Sequence, residues 1–165
     1  MLKLLDYFKI NAQKAYREII AISESPCFLF SNDPELSSIE TKNNYYYIHG
    51  FNRLIKHNKI EIDRIVWAFA YLEDELEKYL IRFYKDKKFV LTINADIQIP
   101  AFTLLVKSYH NEMLLTPSPS IQNLVEWYKT EACFTGLTIS ETQDENETED
   151  EPIDSYRSNV KVICT

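Results

Sequence analysis

The chain has 165 residues, an apolar fraction of 45% and a formal net charge of −7. It contains only two glycines, Gly50 and Gly136, where average usage of roughly 7% would give about eleven or twelve. Phosphate loops of the dinucleotide-binding and P-loop kinds need several glycines within a few residues, so the composition excludes both. Scarce glycine also disfavours an all-β fold built on tight hairpins. The negative charge argues against a surface that binds mainly phosphate groups.

The first segment of the chain has the periodicity of an amphipathic helix. Over residues 2–22 the apolar side chains recur at intervals of three and four, with Lys, Arg and Asn on the opposite face. We expect this helix to end before Ser25-Pro26. Residues 27–30, Cys-Phe-Leu-Phe, are either an extended stretch or an apolar plug between helices.

A second helix is predicted from residue 33 to about residue 54. It begins at Asp33-Pro34, where Asp is a favourable N-cap and Pro fits the first helical turn. Two features oppose this prediction. The run Tyr45–Ile48 has high β propensity, and Gly50 inside a helix would cost about 0.5–1 kcal/mol relative to Ala unless another helix approaches closely there.

The longest helix is predicted over residues 59–85. Asn58 is its expected N-cap and Glu61 completes a capping box. Lys85, Lys87 and Lys88 follow its end, where the helix dipole favours positive charge. Its continuous apolar stripe consists of Ile62, Ile65, Val66, Phe69, Leu72, Leu76, Tyr79, Leu80 and Phe83.

Residues 89–99 leave two structures open. They are compatible with a short β hairpin turning around residues 94–96, or with an extended stretch that leads into a fourth helix. That helix is predicted from residue 100 to about residue 115, because Pro100 suits a first helical turn and apolar residues then recur at helical spacing.

A fifth helix completes the predicted domain. It begins at Ser118-Pro119, buries an apolar stripe to Ala132, and ends near Gly136, which is a suitable C-cap. The sequence therefore predicts an all-α fold, with one bundle-like domain of five helices over residues 1–136.

The composition changes after Gly136. Residues 141–154 carry eight acids, no base and a single apolar side chain. Such a segment cannot bury enough apolar surface to offset chain entropy, so residues 137–165 are predicted to be a flexible acidic tail. With Arg157 and Lys161 included, the tail carries −6 of the net charge and leaves a nearly neutral body. A local basic patch on the body is therefore compatible with the composition, although nucleic acid is not an expected partner.

The chain offers no complete catalytic or metal-binding motif. Its three histidines, His49, His57 and His110, lack the Glu three residues earlier that helical carboxylate–metal sites use, and HExxH is absent. We therefore expect no catalytic residue, no metal site and no cofactor. In an enzyme, Cys27 with His49 or His57 would be the nucleophile–base pair. The apolar neighbours of Cys27 favour core packing instead.

Aromatic residues are in surplus, at 13% of the chain with eleven tyrosines. Tyr45, Tyr46 and Tyr47 are consecutive, so they cannot all face one core. Tyrosine is a preferred interface residue because its large, rigid ring loses little entropy on binding. Together with Phe51 these three residues predict a partner-binding surface. The alternative is that the rings lie over apolar surface with their hydroxyls in water.

The C-terminal segment resembles a known class of signal. The acid-rich sequence SETQDENETEDEPID is followed by a polar spacer and by apolar Val162-Ile163 close to the terminus. This arrangement resembles the C-terminal translocation signal of effectors delivered by type IVB secretion systems of intracellular Gram-negative bacteria. The resemblance covers roughly 25 of the 165 residues. It implies export into a host cell and says nothing about activity.

Taken together, these features favour a non-catalytic protein-interaction module, an effector or adaptor with a protein partner. Two alternatives stay open: a small enzyme that uses Cys27 and a histidine, and an acidic inhibitor or nucleic-acid mimic that occupies a basic groove. The chain has three scattered cysteines and no apolar run of the roughly 20 residues that span a bilayer. We therefore expect a soluble protein that is cytoplasmic in the producing cell, with delivery into a host cell implied by the resemblance.

Overall fold

The computed structural model describes residues 2–31, 33, 35, 37–97, 101–110, 117–134 and 156–165. Its elements, in chain order, are α1 (Leu2–Glu24), α2 (Ser37–Asn43), β1 (Tyr45–Ile48), α3 (Phe51–Lys56), α4 (Ile62–Phe83), β2 (Lys88–Asp96), β3 (Ala101–Ser108), α5 (Ile121–Phe134) and β4 (Tyr156–Cys164). The strands form one antiparallel sheet in the order β1-β3-β2-β4. The protein therefore has an α/β fold, and the predicted all-α five-helix bundle is wrong.

Three predicted helices are confirmed as α1, α4 and α5. The apolar stripe of α4 packs into the core, where six of its side chains are buried: Ile65, Ala68, Phe69, Leu72, Leu76 and Leu80. Long amphipathic patterns of this kind are reliable because a helix that buries one stripe gains most of its stability from packing. None of the described helices combines the length and the apolarity needed to cross a membrane.

The predicted second helix is interrupted by a strand. Its first part is α2, but Tyr45–Ile48 forms β1 and pairs with β3. Asn44 ends the helix: its carbonyl accepts the Val106 N–H at 3.3 Å and its side-chain amide donates to the Val106 carbonyl at 3.0 Å. Gly50 has a φ of 100° between β1 and α3, a conformation that residues with a Cβ avoid. The β propensity of the tyrosines therefore prevails over the helical spacing of the apolar residues around them.

The predicted fourth helix is a strand, β3. The side chains of Phe102, Leu104 and Val106 are all fully buried, which is the period-two pattern of a strand. β2 runs without a break from Lys88 to Asp96 and pairs with β3 from Phe89 to Asp96. The short hairpin within residues 89–99 is therefore wrong too, because those residues supply only one arm of a larger hairpin. Residues 111–116 of the predicted helix lie outside the described residues.

The end of the chain belongs to the sheet. β4 pairs with β2 from Lys88 opposite Cys164 to Asp96 opposite Tyr156, so the prediction of a flexible tail does not apply to residues 156–164. Ile163 is 1% exposed, and the Thr165 N–H donates to the Lys87 carbonyl at 3.0 Å. The acidic residues 141–154 lie outside the described residues.

The helices pack on one face of the sheet. Phe102 of β3 makes ring contacts with Phe51 of α3, Phe69 of α4 and Tyr128 of α5, at centroid distances of 6.5, 5.2 and 4.8 Å. The register places Ile48, Ile93 and Leu104 on this same core face. The opposite face carries the alternate residues of each strand, and it includes two of the tyrosines singled out above.

Candidate protein-interaction site

The structure separates the four predicted partner-binding residues. Tyr45 and Tyr47 lie opposite Leu105 and Thr103, on the face of the sheet away from the core, whereas Tyr46 points to the core face. Tyr47 is 48% exposed and Phe51 is fully buried. Phe51 therefore contributes no exposed surface, and the tyrosine surface consists of the exposed Tyr47 and the partly buried Tyr45.

Tyr46 connects β1 to the segment that follows α1. Its hydroxyl donates to the Cys27 carbonyl at 2.9 Å, and its ring meets Phe28 edge-on at 5.9 Å. Burial raises the pKa of the Tyr46 hydroxyl above its ordinary value. The residue is thus part of the scaffold that holds β1 in place.

The exposed aromatic rings beside β1 are ordered by contacts with one another. Tyr45 and Tyr47 meet edge-on at 5.2 Å, and the Tyr47 ring stacks on His49 at 5.7 Å with 8° between the planes. The backbone N–H of His49 donates to Oε2 of Glu18 in α1 at 2.6 Å. A ring that is already ordered loses less entropy when a partner binds it.

Among the described residues, the backbone of β1 pairs with a strand on one side only. In an antiparallel pair, alternate residues direct their N–H and C=O groups towards the neighbouring strand. The hydrogen bond from Val106 to the Asn44 carbonyl shows that the even-numbered residues face β3. The N–H and C=O groups of Tyr45 and Tyr47 therefore point outward, and no described residue hydrogen-bonds to them.

The opposite edge of the sheet is covered. The Ser118 hydroxyl accepts the N–H of Val160 at 3.0 Å and donates to its carbonyl at 3.3 Å. The Asn159 side-chain amide also donates to the Pro119 carbonyl at 2.8 Å. Residues 118–119 thus protect the outer edge of β4, which is how proteins avoid unwanted strand pairing. Within the described residues, the outward backbone groups of Tyr45 and Tyr47 have no equivalent protection, and cover begins just past β1, where Glu18 accepts the His49 N–H.

A row of polar side chains crosses the sheet at the level of Tyr47. The amide of Asn94 donates to the Thr103 hydroxyl at 3.1 Å, and the Ser158 hydroxyl donates to the Asn94 carbonyl oxygen at 2.8 Å. Thr103 is the residue opposite Tyr47. This row joins three strands through side chains as well as backbone, and it gives the tyrosine surface a rigid support.

The residues considered for catalysis belong to different parts of the fold. Cys27 is exposed at the start of the segment after α1, with Tyr46 bonded to its carbonyl. His49 stacks on Tyr47, His57 lies in the turn after α3, and His110 follows β3. Among the described residues no group of three or more His, Cys, Asp or Glu side chains could hold a metal ion.

The sequence analysis missed a second exposed aromatic pair. Trp67 and Tyr71 of α4 are 66% and 37% exposed, and their rings stack at 5.9 Å with 18° between the planes. The signal was available in the sequence, because both residues lie outside the apolar stripe of α4 and are four positions apart. This pair lies on a helix on the core side of the sheet, so it is a surface separate from that of Tyr45 and Tyr47.

Comparison of the chain with known proteins identifies no relative. No protein-family model matches the chain, and neither the curated proteins nor the solved structures include a significant match.

Proposed function

We propose that the protein is an interaction module that binds an extended segment of a partner protein along the outer edge of β1. The observation that carries the proposal is the contrast between the two edges of the sheet. Ser118 covers the edge of β4, whereas the outward backbone groups of Tyr45 and Tyr47 have no partner among the described residues. An extended peptide that adds a strand to an exposed edge satisfies such groups directly.

The aromatic side chains next to this edge add binding energy that backbone hydrogen bonds alone do not provide. A single hydrogen bond contributes only about 0.5–1.5 kcal/mol net, and β1 has four residues, so backbone pairing here is weak by itself. Tyr47 and His49 form a stacked pair at the same edge. Aromatic residues of this kind dominate binding energy in many interfaces. We therefore expect the partner segment to place an apolar or aromatic side chain on the Tyr47 ring.

The proposal describes a non-catalytic role, as an adaptor or effector would have. Delivery into a host cell stays a prediction from the C-terminal resemblance, because the acidic residues 141–154 lie outside the described residues. The apolar residues near the terminus have a structural role of their own, since Ile163 is part of the core. The resemblance therefore depends chiefly on the acidic block.

The test is selection from a displayed library of random short peptides, followed by measurement of affinity for the selected peptides. Tyr47→Pro removes one outward N–H without removing a bond to β3, a position where an edge strand tolerates proline. We expect this change to weaken binding about tenfold or more, the equivalent of one hydrogen bond and part of a ring contact. Tyr71→Ala removes an exposed tyrosine of α4 and should leave affinity unchanged.

Amide hydrogen exchange in the unmodified protein gives a second measurement that does not depend on the variant folding. A bound strand protects the outward N–H groups of Tyr45 and Tyr47, so exchange at these two positions should slow when peptide is added. Failure to select any peptide, or selection of peptides that leave exchange at both positions unchanged, contradicts the proposal.

A further inference from the structure

The face of α4 opposite its buried stripe carries a regular row of exposed side chains. The row consists of Trp67, Tyr71, Asp74, Lys78 and Ile81, which all point away from the core. They follow one another at intervals of four, three, four and three residues, the spacing that faces a partner helix in coiled coils. At a rise of 1.5 Å per residue the row is about 21 Å long. We call it the α4 row.

The apolar members of the α4 row are open to solvent. Trp67 has the largest exposed fraction among the large apolar side chains that the structure describes, and Ile81 is 47% exposed. The Trp67 ring is already ordered by its stack on Tyr71 at 5.9 Å, so it loses little further entropy when a partner covers it. Single apolar residues scattered over a surface are ordinary, whereas a continuous row is typical of an interaction surface.

An ion pair occupies the centre of the α4 row. Nζ of Lys78 lies 2.6 Å from Oδ2 of Asp74 and 2.8 Å from Oε1 of Glu75. The side chains of Asp74 and Lys78 are both more than half exposed, so both can contact a second molecule. Tyr71 lies three residues before Asp74, and Ile81 lies three residues after Lys78. The order is therefore apolar, acidic, basic and apolar, with the same spacing from either end.

This order is complementary to itself when it is reversed. When two α4 helices lie antiparallel with a two-fold axis at the level of Leu76, Asp74 of each copy is opposite Lys78 of the other. In the same arrangement Tyr71 is opposite Ile81. A two-fold interface requires such self-complementarity, because the same surface patch supplies both of its sides. Each Lys78 then lies between two Asp74 carboxylates, and the four charges alternate in sign.

We propose that the α4 row binds the α4 row of a second copy of this chain, as an antiparallel helix pair. The apolar residues supply the buried surface. The charges set the register, since a shift by one turn brings Asp74 opposite Asp74 or Lys78 opposite Lys78. One helix pair is smaller than a standard interface, so we expect a dissociation constant on the order of 10–100 μM. Peptide binding at β1 is independent of this contact, because the two surfaces share no residue.

The first experiment measures the molar mass of the full chain by sedimentation equilibrium, at concentrations from ~1 μM to ~1 mM. We expect the mass to rise from that of the monomer to that of a dimer. Tryptophan fluorescence gives a second readout: Trp127 is buried, so quenching by iodide reports chiefly on Trp67 and should decrease as the dimer forms. A mass that stays monomeric, or a dimer in which the quenching is unchanged, overturns the proposal.

Charge reversal then assigns the dimer to the α4 row. Asp74→Lys places four positive charges at the centre of the helix pair, and Lys78→Asp places four negative charges there. We therefore expect each variant alone to associate about tenfold more weakly, or worse. An equal mixture of the two variants should form a heterodimer with about the wild-type affinity, because unlike charges meet again. Wild-type association of either variant alone, or no recovery in the mixture, overturns the proposal.

A substitution at Trp67 tests the apolar part of the α4 row. We expect Trp67→Ala to weaken association about tenfold or more, since a covered tryptophan is often the main contributor to an interface. The matched control is Ile10→Ala, because Ile10 is a similarly exposed large apolar residue of α1, outside the α4 row. Equal losses in the two variants would show non-specific apolar association and overturn the assignment to α4.

Discussion

Two buried polar residues, Glu40 in α2 and Asn44 just after it, join segments that are distant in the chain. The side chain of Asn44 pairs with both backbone groups of Leu29 at 2.8 Å and with the Val106 carbonyl at 3.0 Å. Glu40 bonds to Ser31 and Ser108 in the same region. Both have polar neighbours in a short helical segment, so nothing in the sequence marks them as buried. These side chains are buried because β3 packs against them in the folded protein.

At the residue scale, Glu40 gives the clearest prediction. Glu40→Ala leaves the N–H groups of Ser31 and Ser108 buried without a partner, so we expect the free energy of unfolding to fall by ~3 kcal/mol or more. Urea denaturation measures this loss. The control is Glu61→Ala, since the Glu61 side chain is 80% exposed and its 3.6 Å ion pair with Arg64 is worth less than about 1 kcal/mol. Similar losses in the two variants would contradict this role of Glu40.

At the scale of elements, periodicity identified the long helices and misassigned the strands. The apolar residues Phe102, Leu105, Val106 and Tyr109 match helical spacing. Phe102, Leu104 and Val106 match strand spacing just as well, and these are the three side chains that β3 buries completely. A short apolar segment cannot distinguish the two periods. Residues 101–108 form a strand because they pair with β1 and β2. β1 is distant in sequence and lies in a segment with a predicted helix, and the sequence of β2 is compatible with two different structures.

Ser118 and Ser120 are neighbouring serines with separate structural roles. Ser118 covers Val160 at the edge of β4, whereas the Ser120 hydroxyl accepts the Asn123 N–H at 3.2 Å and caps α5. We expect Ser118→Ala to accelerate amide exchange at Val160. We expect Ser120→Ala to destabilise the protein by about 0.5–2 kcal/mol through loss of the helix cap and to leave local exchange at Val160 unchanged. Unchanged exchange at Val160 in Ser118→Ala would show that the edge is protected by something else.

At the scale of the whole molecule, the end of the chain completes the sheet and the core. β4 lies beside β2, and Lys161 reaches Glu77 of α4 at 2.8 Å. The Thr165 hydroxyl donates to the Tyr84 carbonyl at the end of α4. The chain therefore returns to its main helix after the acidic segment.

Adjacent residues of β4 test this role. Ile163 is 1% exposed and Val162 is 40% exposed, because they point to opposite faces of the strand. We expect Ile163→Ala to lower the free energy of unfolding by about 2–5 kcal/mol and Val162→Ala to lower it by only ~0.5 kcal/mol. Denaturant titration of the two variants makes the comparison. A small effect of Ile163→Ala would mean that β4 is dispensable, as the prediction of a flexible tail implies.

Only part of the candidate site could be predicted from the sequence. Three consecutive tyrosines require at least one ring to leave the core, and the structure exposes Tyr47. Phe51 is buried because it is the first residue of α3, and α3 packs that side chain into the core directly after the turn at Gly50. The sequence alone does not predict this orientation. The open edge of β1 has no sequence signature, because it depends on the pairing of β1 with β3 across a long separation in the chain.

The sequence by itself determined the amphipathic helices α1, α4 and α5, the absence of glycine-rich phosphate loops, and the concentration of most of the net negative charge in the C-terminal segment. These properties depend on neighbours within a few turns of the same helix or on composition alone. The tertiary structure alone decided the sheet, the face that each tyrosine occupies and the inclusion of the C-terminus in the core. These depend on hydrogen bonds and burial between residues far apart in the chain, such as Phe89 with Ile163, and the sequence around one partner contains no information on the position of the other.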